Sequence, residues 1–331
     1  MDILFFAVNT TTVFNRNNST TLFKILQERS DDFLNLRTDL AVERHEIVGQ
    51  EGNDGIEFRK YSDRGVTVTD IKVTNETGSL ALGKPTGEYI TVEVKPFSKA
   101  HDLFSNQLTV LSEKIRELLP AGDGTVLVAG LGNKTITPDA LGPRAAELIF
   151  ATRHIGAELR KSIGLENIRS VAGITPGVLG KTGVETVEII ESVVKKIRPC
   201  AVIVIDALAS RRLERLGTTV QMATSGVAPG SGVGNVRSRI DSQTLGVPVI
   251  SIGVPTVVDA ATLAFDIFEQ AGYGEENDDL EDILRPLGEN IMVTPKEIDL
   301  MIERAAQLVA MSINCALQPQ LDPKDILAIV S

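Results

Sequence analysis

The chain is poor in the residues that build disulfide frameworks, zinc sites and membrane spans. Its 331 residues include two cysteines, Cys200 and Cys315, three histidines and no tryptophan. Two thiols make no disulfide scaffold and suit a reducing compartment. His45, His101 and His154 stand far apart, with no His or Cys pair at metal-ligand spacing, so neither a metal centre nor a cofactor is expected. The opening run Ile3-Leu4-Phe5-Phe6-Ala7-Val8 lacks a basic flank and is too short for a bilayer. No later stretch reads as the roughly 20 apolar residues of a transmembrane helix. The reading is a cytoplasmic protein without secretion signal or membrane partner. Basic charge is also in deficit: 33 Lys plus Arg against 44 Asp plus Glu gives a net charge of −11, which repels nucleic acid.

What is present is ordinary globular usage, 43% hydrophobic and 23% charged. A chain of this length hides about 75% of its unfolded surface in a large core. Residues 1–36 mix Asn, Thr and Arg without a sustained period and read as a leader. Segments 55–60, 66–73 and 89–94 are rich in β-branched and aromatic residues, with turns at Ser62-Asp63-Arg64-Gly65 and Lys84-Pro85-Thr86-Gly87. They predict a β-rich subdomain over 40–100, an antiparallel flap or edge.

From residue 101 to 331 helices alternate with apolar strands, which predicts an α/β core with a mainly parallel sheet flanked by helices. Expected strands are 125–129, 170–173, 201–205 and 247–252; expected helices are 101–119, 142–155, 184–197 and 295–315. Ala201-Val202-Ile203-Val204-Ile205 is apolar without a break and suits a sheet covered on both faces. Glu275-Glu276-Asn277-Asp278-Asp279 reads as a solvated loop.

Ligands of open parallel sheets gather beyond the carboxyl ends of the strands. Three loops follow apolar runs there. The first runs from Gly130-Leu131-Gly132-Asn133 to Thr137-Pro138-Asp139-Ala140, the second opens with Asp206, and the third is Gly253 to Asp259. A carboxylate directly after a buried run is costly unless hydrogen-bonded or neutral. If Asp139 faces Asp206, their repulsion favours one protonated and one ionised carboxyl, an acid and a base at one pH. Each has a competing role as a cap of free helix amides, and Asp259, a candidate substrate-loop residue, reads more as structural on the same grounds.

Two patterns fail their own tests. Gly180-Lys181-Thr182 ends like a phosphate-binding loop, but Thr175 stands where a glycine is required. The run Pro229-Gly230-Ser231-Gly232-Val233-Gly234-Asn235 lacks the helix and acidic partner of a dinucleotide site, and Ser231 has no nucleophile elbow. It reads as a loop bordering a site.

The loops together resemble the germination proteases of spore-forming bacteria. The likeness rests on Arg37-Thr38-Asp39-Leu40-Ala41-Val42-Glu43, Thr137-Pro138-Asp139-Ala140-Leu141-Gly142-Pro143, Thr175-Pro176-Gly177-Val178 with Thr182-Gly183-Val184-Glu185-Thr186, and Ile205-Asp206-Ala207-Leu208-Ala209. It extends through the 229–235 loop, Gly253-Val254-Pro255-Thr256-Val257-Val258-Asp259-Ala260, and Pro286-Leu287-Gly288-Glu289-Asn290-Ile291-Met292-Val293-Thr294-Pro295-Lys296-Glu297. It covers residues 36–317.

The resemblance implies an atypical aspartic-type endopeptidase of small acid-soluble spore proteins, with its two carboxylates at Asp139 and Asp206. It further implies a homotetramer in the forespore and spore core, with a fold related to hydrogenase maturation proteases. Members are made as zymogens, and Thr38-Asp39-Leu40-Ala41 resembles the substrate pattern Thr/Ser-Glu-hydrophobic-Ala. Cleavage between Asp39 and Leu40 is therefore expected, with residues 1–39 as the propeptide. Backbone amides of Gly130, Gly132 and Asn133, or of Gly230, Ser231 and Gly232, are expected oxyanion donors. The alternatives are a metal-assisted endopeptidase using His154 and acidic residues, and a nucleotide-binding regulator using Gly180-Lys181-Thr182. Acidic substrates gain no long-range steering from an acidic enzyme, so local contacts to an extended peptide must serve, at an exposed edge of the β-rich part.

Overall fold

Apolar runs long enough to be buried on both faces form the centre of one mixed sheet. The structure, a computed structural model, describes residues 37–49, 54–99, 102–162, 164–230, 238–270 and 291–331. The leader at 1–36, His101, the residues Ser231 and Gly232, and the acidic run at 275–279 lie outside the described residues.

The chain enters through α1 (Ala41–Val48), then β1 (Ile56–Asp63), β2 (Val66–Val73), α2 (Glu76–Leu82) and β3 (Gly87–Glu93). Next come α3 (Asn106–Leu118), β4 (Val126–Gly130), a single 3-10 turn (Thr137–Asp139), α4 (Leu141–Glu147), α5 (Ala157–Ser162) and β5 (Val171–Ile174). The short α6 (Leu179–Thr182) and α7 (Thr186–Ile197) lead to β6 (Ala201–Ser210), β7 (Thr219–Ala223), α8 (Ser242–Leu245) and β8 (Val249–Asp259). The chain closes with α9 (Ala260–Gln270), β9 (Met292–Val293), α10 (Ile298–Leu317) and α11 (Pro323–Val330).

The nine described strands form one sheet in the order β1-β2-β3-β7-β8-β6-β4-β5, with β9 beside β8. Strands β8, β6, β4 and β5 run parallel, while β1, β2, β3 and β7 pair antiparallel. The segment read as a flap or edge is thus the antiparallel edge of the same sheet. Alternate residues of the parallel strands point to opposite faces. Val126, Val128, Ile203 and Ile205 pack with α3, α4 and α10, and Leu127, Ala129, Val202 and Val204 with α7 and α8. Farther along that second face, Leu208 joins Leu40, Ala41, Ile71 and Leu82 under α1 and α2.

By length and composition α10 is apolar enough to cross a membrane, the one such helix among the described residues, yet 78% of its apolar window is buried inside the protein. It is the central core helix, lying on α3 and α4. Asp299, Glu303 and Arg304 interrupt the apolar residues of its first turns.

The helix expected over 142–155 stops at Glu147, and tertiary hydrogen bonds explain why. Asn314 on α10 accepts from Phe150 N–H and donates to Leu148 C=O, both at 2.9 Å. Thr152 and Arg153 N–H then donate to Val171 C=O on β5. Asn314→Ala strands a buried donor and a buried acceptor at about 1–3 kcal/mol each. Urea unfolding should show the midpoint fall with the slope unchanged.

Candidate active site

Parallel strand order reverses around β4. The chain leaves β4 for β5 on one side and returns to β6 on the other, so a crevice opens at their carboxyl ends. There β6 outruns its neighbour: Gly130 of β4 pairs with Ile205, and β6 continues to Ser210 against β8 alone. The strands expected to end at Ile205 and Ile252 therefore reach Ser210 and Asp259. Asp206 sits inside β6, opposite Gly253, instead of in a loop beyond it. By alternation it faces the same way as Val204 and Leu208, between the helices that cover each of them.

Asp139 reaches this gap from the turn before α4. Leu131 N–H donates to Ile205 C=O at 2.8 Å, which carries the chain past the end of β4 onto β6. Gly132 then turns with φ +108°, where a Cβ would lie 2.1 Å from the Asp139 carbonyl oxygen. Only glycine allows that approach. Asn133 N–H donates to Asp139 Oδ2 at 2.7 Å, so this amide orients the carboxylate, a different task from the expected oxyanion donation. Asp206 is 8% exposed, and its Oδ1 accepts from Ala207 N–H at 2.9 Å.

The two aspartates line one cavity of about 420 Å3, together with Asp39, Gly132, Thr256 and Gly230. Gly130 ends β4 and does not line the cavity. Asp259 does not line it: its Oδ1 accepts from Thr262 N–H and Oγ1–H at the start of α9, and its Oδ2 pairs with Arg37 at 3.3 Å. The structural reading of Asp259 fits that geometry.

The β8 bulge shapes another part of the wall. Leu208 pairs with Pro255 and Ala209 with Val257, which leaves Thr256 as the extra residue. Its hydroxyl is buried with no hydrogen-bond partner among the described residues. The sequence reading singled out no role for Thr256; Pro255 within an apolar run was the available signal for a bulge.

The Asp39–Leu40 segment lies against the same cavity. Asp39 N–H donates to Ala209 C=O, and Asp39 Oδ2 accepts from Ala209 N–H, both at 2.9 Å. Leu40 is fully buried, and burial of such a side chain contributes about 1.5–3 kcal/mol. Thr38 Oγ1–H donates to Glu43, whose carboxylate also accepts from Arg211 N–H at 2.7 Å and Arg212 N–H at 3.1 Å. Burial holds Glu43 above the usual carboxylate range against these bonds.

Two further residues converge on this segment without any sequence signal. Lys84 Nζ donates to the Asp39 carbonyl oxygen at 2.9 Å, and Gln221 Nε2 donates to the same oxygen at 3.0 Å. Burial pushes the Lys84 ammonium down to about 8, with the Asp39 carboxylate opposing. Lys84 had read only as a turn residue, and Gln221 lies on β7, a strand of five residues too short to stand out.

The other sequence candidates do not line the cavity. His154 is exposed in the turn after α4, and Gly180, Lys181 and Thr182 form the single helical turn α6. Among the described residues no three His, Cys, Asp or Glu side chains cluster to hold a metal.

A family profile described as germination protease matches residues 37–273 and 270–328. The germination protease of Caldanaerobacter subterraneus subsp. tengcongensis is 44% identical over 316 residues, covering 88% of this chain and 97% of its own. That of Clostridium tetani is 41% identical over 319 residues, with 88% and 98% covered. That of Priestia megaterium is 36% identical over 358 residues, with 88% and 95% covered. Among solved structures, the NiFe hydrogenase maturation protease HycI from Thermococcus kodakarensis aligns with a TM-score of 0.33 at 15% identity, over 60% of this chain and 98% of that one. With a profile match from Arg37 to residue 328 and relatives aligned over nearly their whole length, the chain belongs to the germination protease family and is a peptidase.

Proposed function

We propose that this peptidase is an endopeptidase made as a zymogen, which hydrolyses small acid-soluble spore proteins during germination with Asp139 and Asp206 as its catalytic pair. The observation that carries the reading is the single cavity lined by Asp139, Asp206 and Asp39. One carboxylate, ionised, takes a proton from water as the water oxygen bonds to the scissile carbonyl carbon. The other, protonated, gives its proton to the departing amide nitrogen. A carboxylate held by Asn133 N–H and a second held by Ala207 N–H are oriented before substrate arrives.

The same reading makes residues 1–39 a propeptide released by cleavage between Asp39 and Leu40. Its support is that Thr38-Asp39-Leu40-Ala41 carries the substrate-like pattern and that Asp39 lines the cavity. The active enzyme is a homotetramer of the forespore and spore core, needing neither cofactor nor nucleic acid.

Incubation of the purified chain with a small acid-soluble spore protein tests this. Mass spectrometry of the fragments should find cuts after an acidic residue and before a hydrophobic one followed by alanine. N-terminal sequencing of active enzyme should begin at Leu40, and light scattering should give the tetramer mass. Intact substrate beside an enzyme that has already acquired a Leu40 end would sink the substrate assignment. Active chains that begin elsewhere would sink the processing site.

A further inference from the structure

The Asp39 carbonyl oxygen accepts hydrogen bonds from two side chains that lie far from it in sequence, Lys84 and Gln221, and neither of them lines the cavity. We propose that Lys84 and Gln221 are catalytic residues whose N–H groups form the oxyanion hole for cleavage of the Asp39–Leu40 bond. The inference rests on the processing site proposed above and adds to it the groups that receive the developing charge.

Geometry is the first support. Oxyanion donors work at about 2.7–3.1 Å from the oxygen. Lys84 Nζ and Gln221 Nε2 stand at 2.9 and 3.0 Å. The orientation of the Gln221 carboxamide is fixed by its other end, because Oε1 accepts from Ala41 N–H at 2.7 Å. A flipped amide would set Nε2 against that N–H and Oε1 against the Asp39 carbonyl. Gln221 thus spans the Asp39–Leu40 bond, holding the backbone on both sides of it. Ala209 fixes the Asp39 N–H and carboxylate, so the carbonyl has little freedom to turn away from its donors.

Electrostatics is the second support. Anchoring a neutral carbonyl needs only a hydrogen bond, whereas burying an ammonium there carries a desolvation cost. Among the described residues, the carboxylates of Asp39 and Glu43 favour the Lys84 charge, and Arg44 and Arg239 oppose it. The neutral carbonyl adds little to offset that cost. An oxyanion on the same atom would offset much more, which is differential binding of the transition state.

The bonds balance as follows. Water oxygen joins the Asp39 carbonyl carbon, the C=O pair moves onto oxygen between Lys84 and Gln221, and the water proton passes to the ionised member of the Asp139 and Asp206 pair. When the pair returns, the C–N bond breaks and Leu40 nitrogen leaves with the proton of the other member. The products are an Asp39 carboxylate and a Leu40 amine.

The test follows self-cleavage of the full-length chain by the appearance of the Leu40 end in intact-mass spectra. Lys84→Met should slow it about 100- to 1,000-fold at an unchanged melting temperature, the usual loss for one oxyanion donor. Gln221→Glu keeps the acceptor for Ala41 N–H but sets a carboxylate against the oxyanion, and should slow it comparably even if Lys84→Met folds poorly. The wild-type rate should fall as pH rises through about 8, where the ammonium loses its proton. Lys84→Arg stays charged and should lose that alkaline limb. Lys84→Met within threefold of wild type, or the same limb in Lys84→Arg, overturns the assignment while leaving the processing site intact. A wild-type chain that never acquires a Leu40 end overturns both.

Discussion

Asp139→Asn and Asp206→Asn are each expected to slow peptide cleavage by about 100- to 10,000-fold, or about 3–5 kcal/mol of transition-state stabilisation, with the fold unchanged. The fold survives because each carboxylate accepts a backbone N–H that an asparagine oxygen can also accept: Asn133 N–H for Asp139, Ala207 N–H for Asp206. Activity falls because asparagine neither takes a proton from water nor gives one to a leaving amine. If the two act as a unit, the double variant should be little slower than either single one, since groups that cooperate are not additive. Single-turnover cleavage of a spore-protein peptide measures this. Near-wild-type turnover in either variant removes that residue from the mechanism, and fully multiplicative losses would separate the pair.

How much of this was legible in the sequence follows from the range of the forces involved. Strands β2 and β4 and helix α7 carry their own hydrophobic pattern, so local sequence placed them within a few residues. The ends of β6 and β8 were not local. Asp206 and Pro255 read as loop residues, but pairing of Asp206 with Gly253, and a bulge at Thr256 beside Pro255, carry both strands onward. The end of α4 is set by Asn314, more than 160 residues away.

Three of the side chains that sequence reasoning missed share one chemistry. Asn314, Gln318 and Gln221 each use a carboxamide to donate to one backbone carbonyl and accept from a backbone N–H: Leu148 and Phe150, then Arg169 at both ends, then Asp39 and Ala41. Such groups have no period and no motif, and only the tertiary fold brings them to their backbone partners. The carboxylate pair was legible for a different reason. Asp206 directly follows an apolar run, where an aspartate already demands an explanation, and the blocks around both aspartates resemble one family.

Gly142→Ala should be among the most damaging single methyl additions near the site. A Cβ at this position would lie 2.2 Å from Leu131 O, 2.5 Å from Leu131 N and 2.5 Å from Ile205 O, all backbone atoms with no rotamer through which to escape. Leu131 N–H and Ile205 C=O are bonded to each other at 2.8 Å, the link that carries the chain from β4 onto β6. Helix α4 must therefore lift from the strands or that bond must break. Ordinary overpacking costs about 1–3 kcal/mol, and a clash against rigid backbone belongs at about 3–5 kcal/mol. Lifting α4 also drags the preceding Thr137–Asp139 turn, so activity should fall more than the stability loss explains even where the protein is still folded. Gly180→Ala is the control: a Cβ there meets nothing within 4 Å, and alanine in the α6 turn should be neutral or stabilising by up to about 1 kcal/mol. Urea unfolding and single-turnover cleavage of both variants decide the matter. A Gly142→Ala protein that unfolds and turns over like Gly180→Ala would mean that α4 does not pack this closely on β4 and β6, and that Asp139 is positioned by something other than that contact.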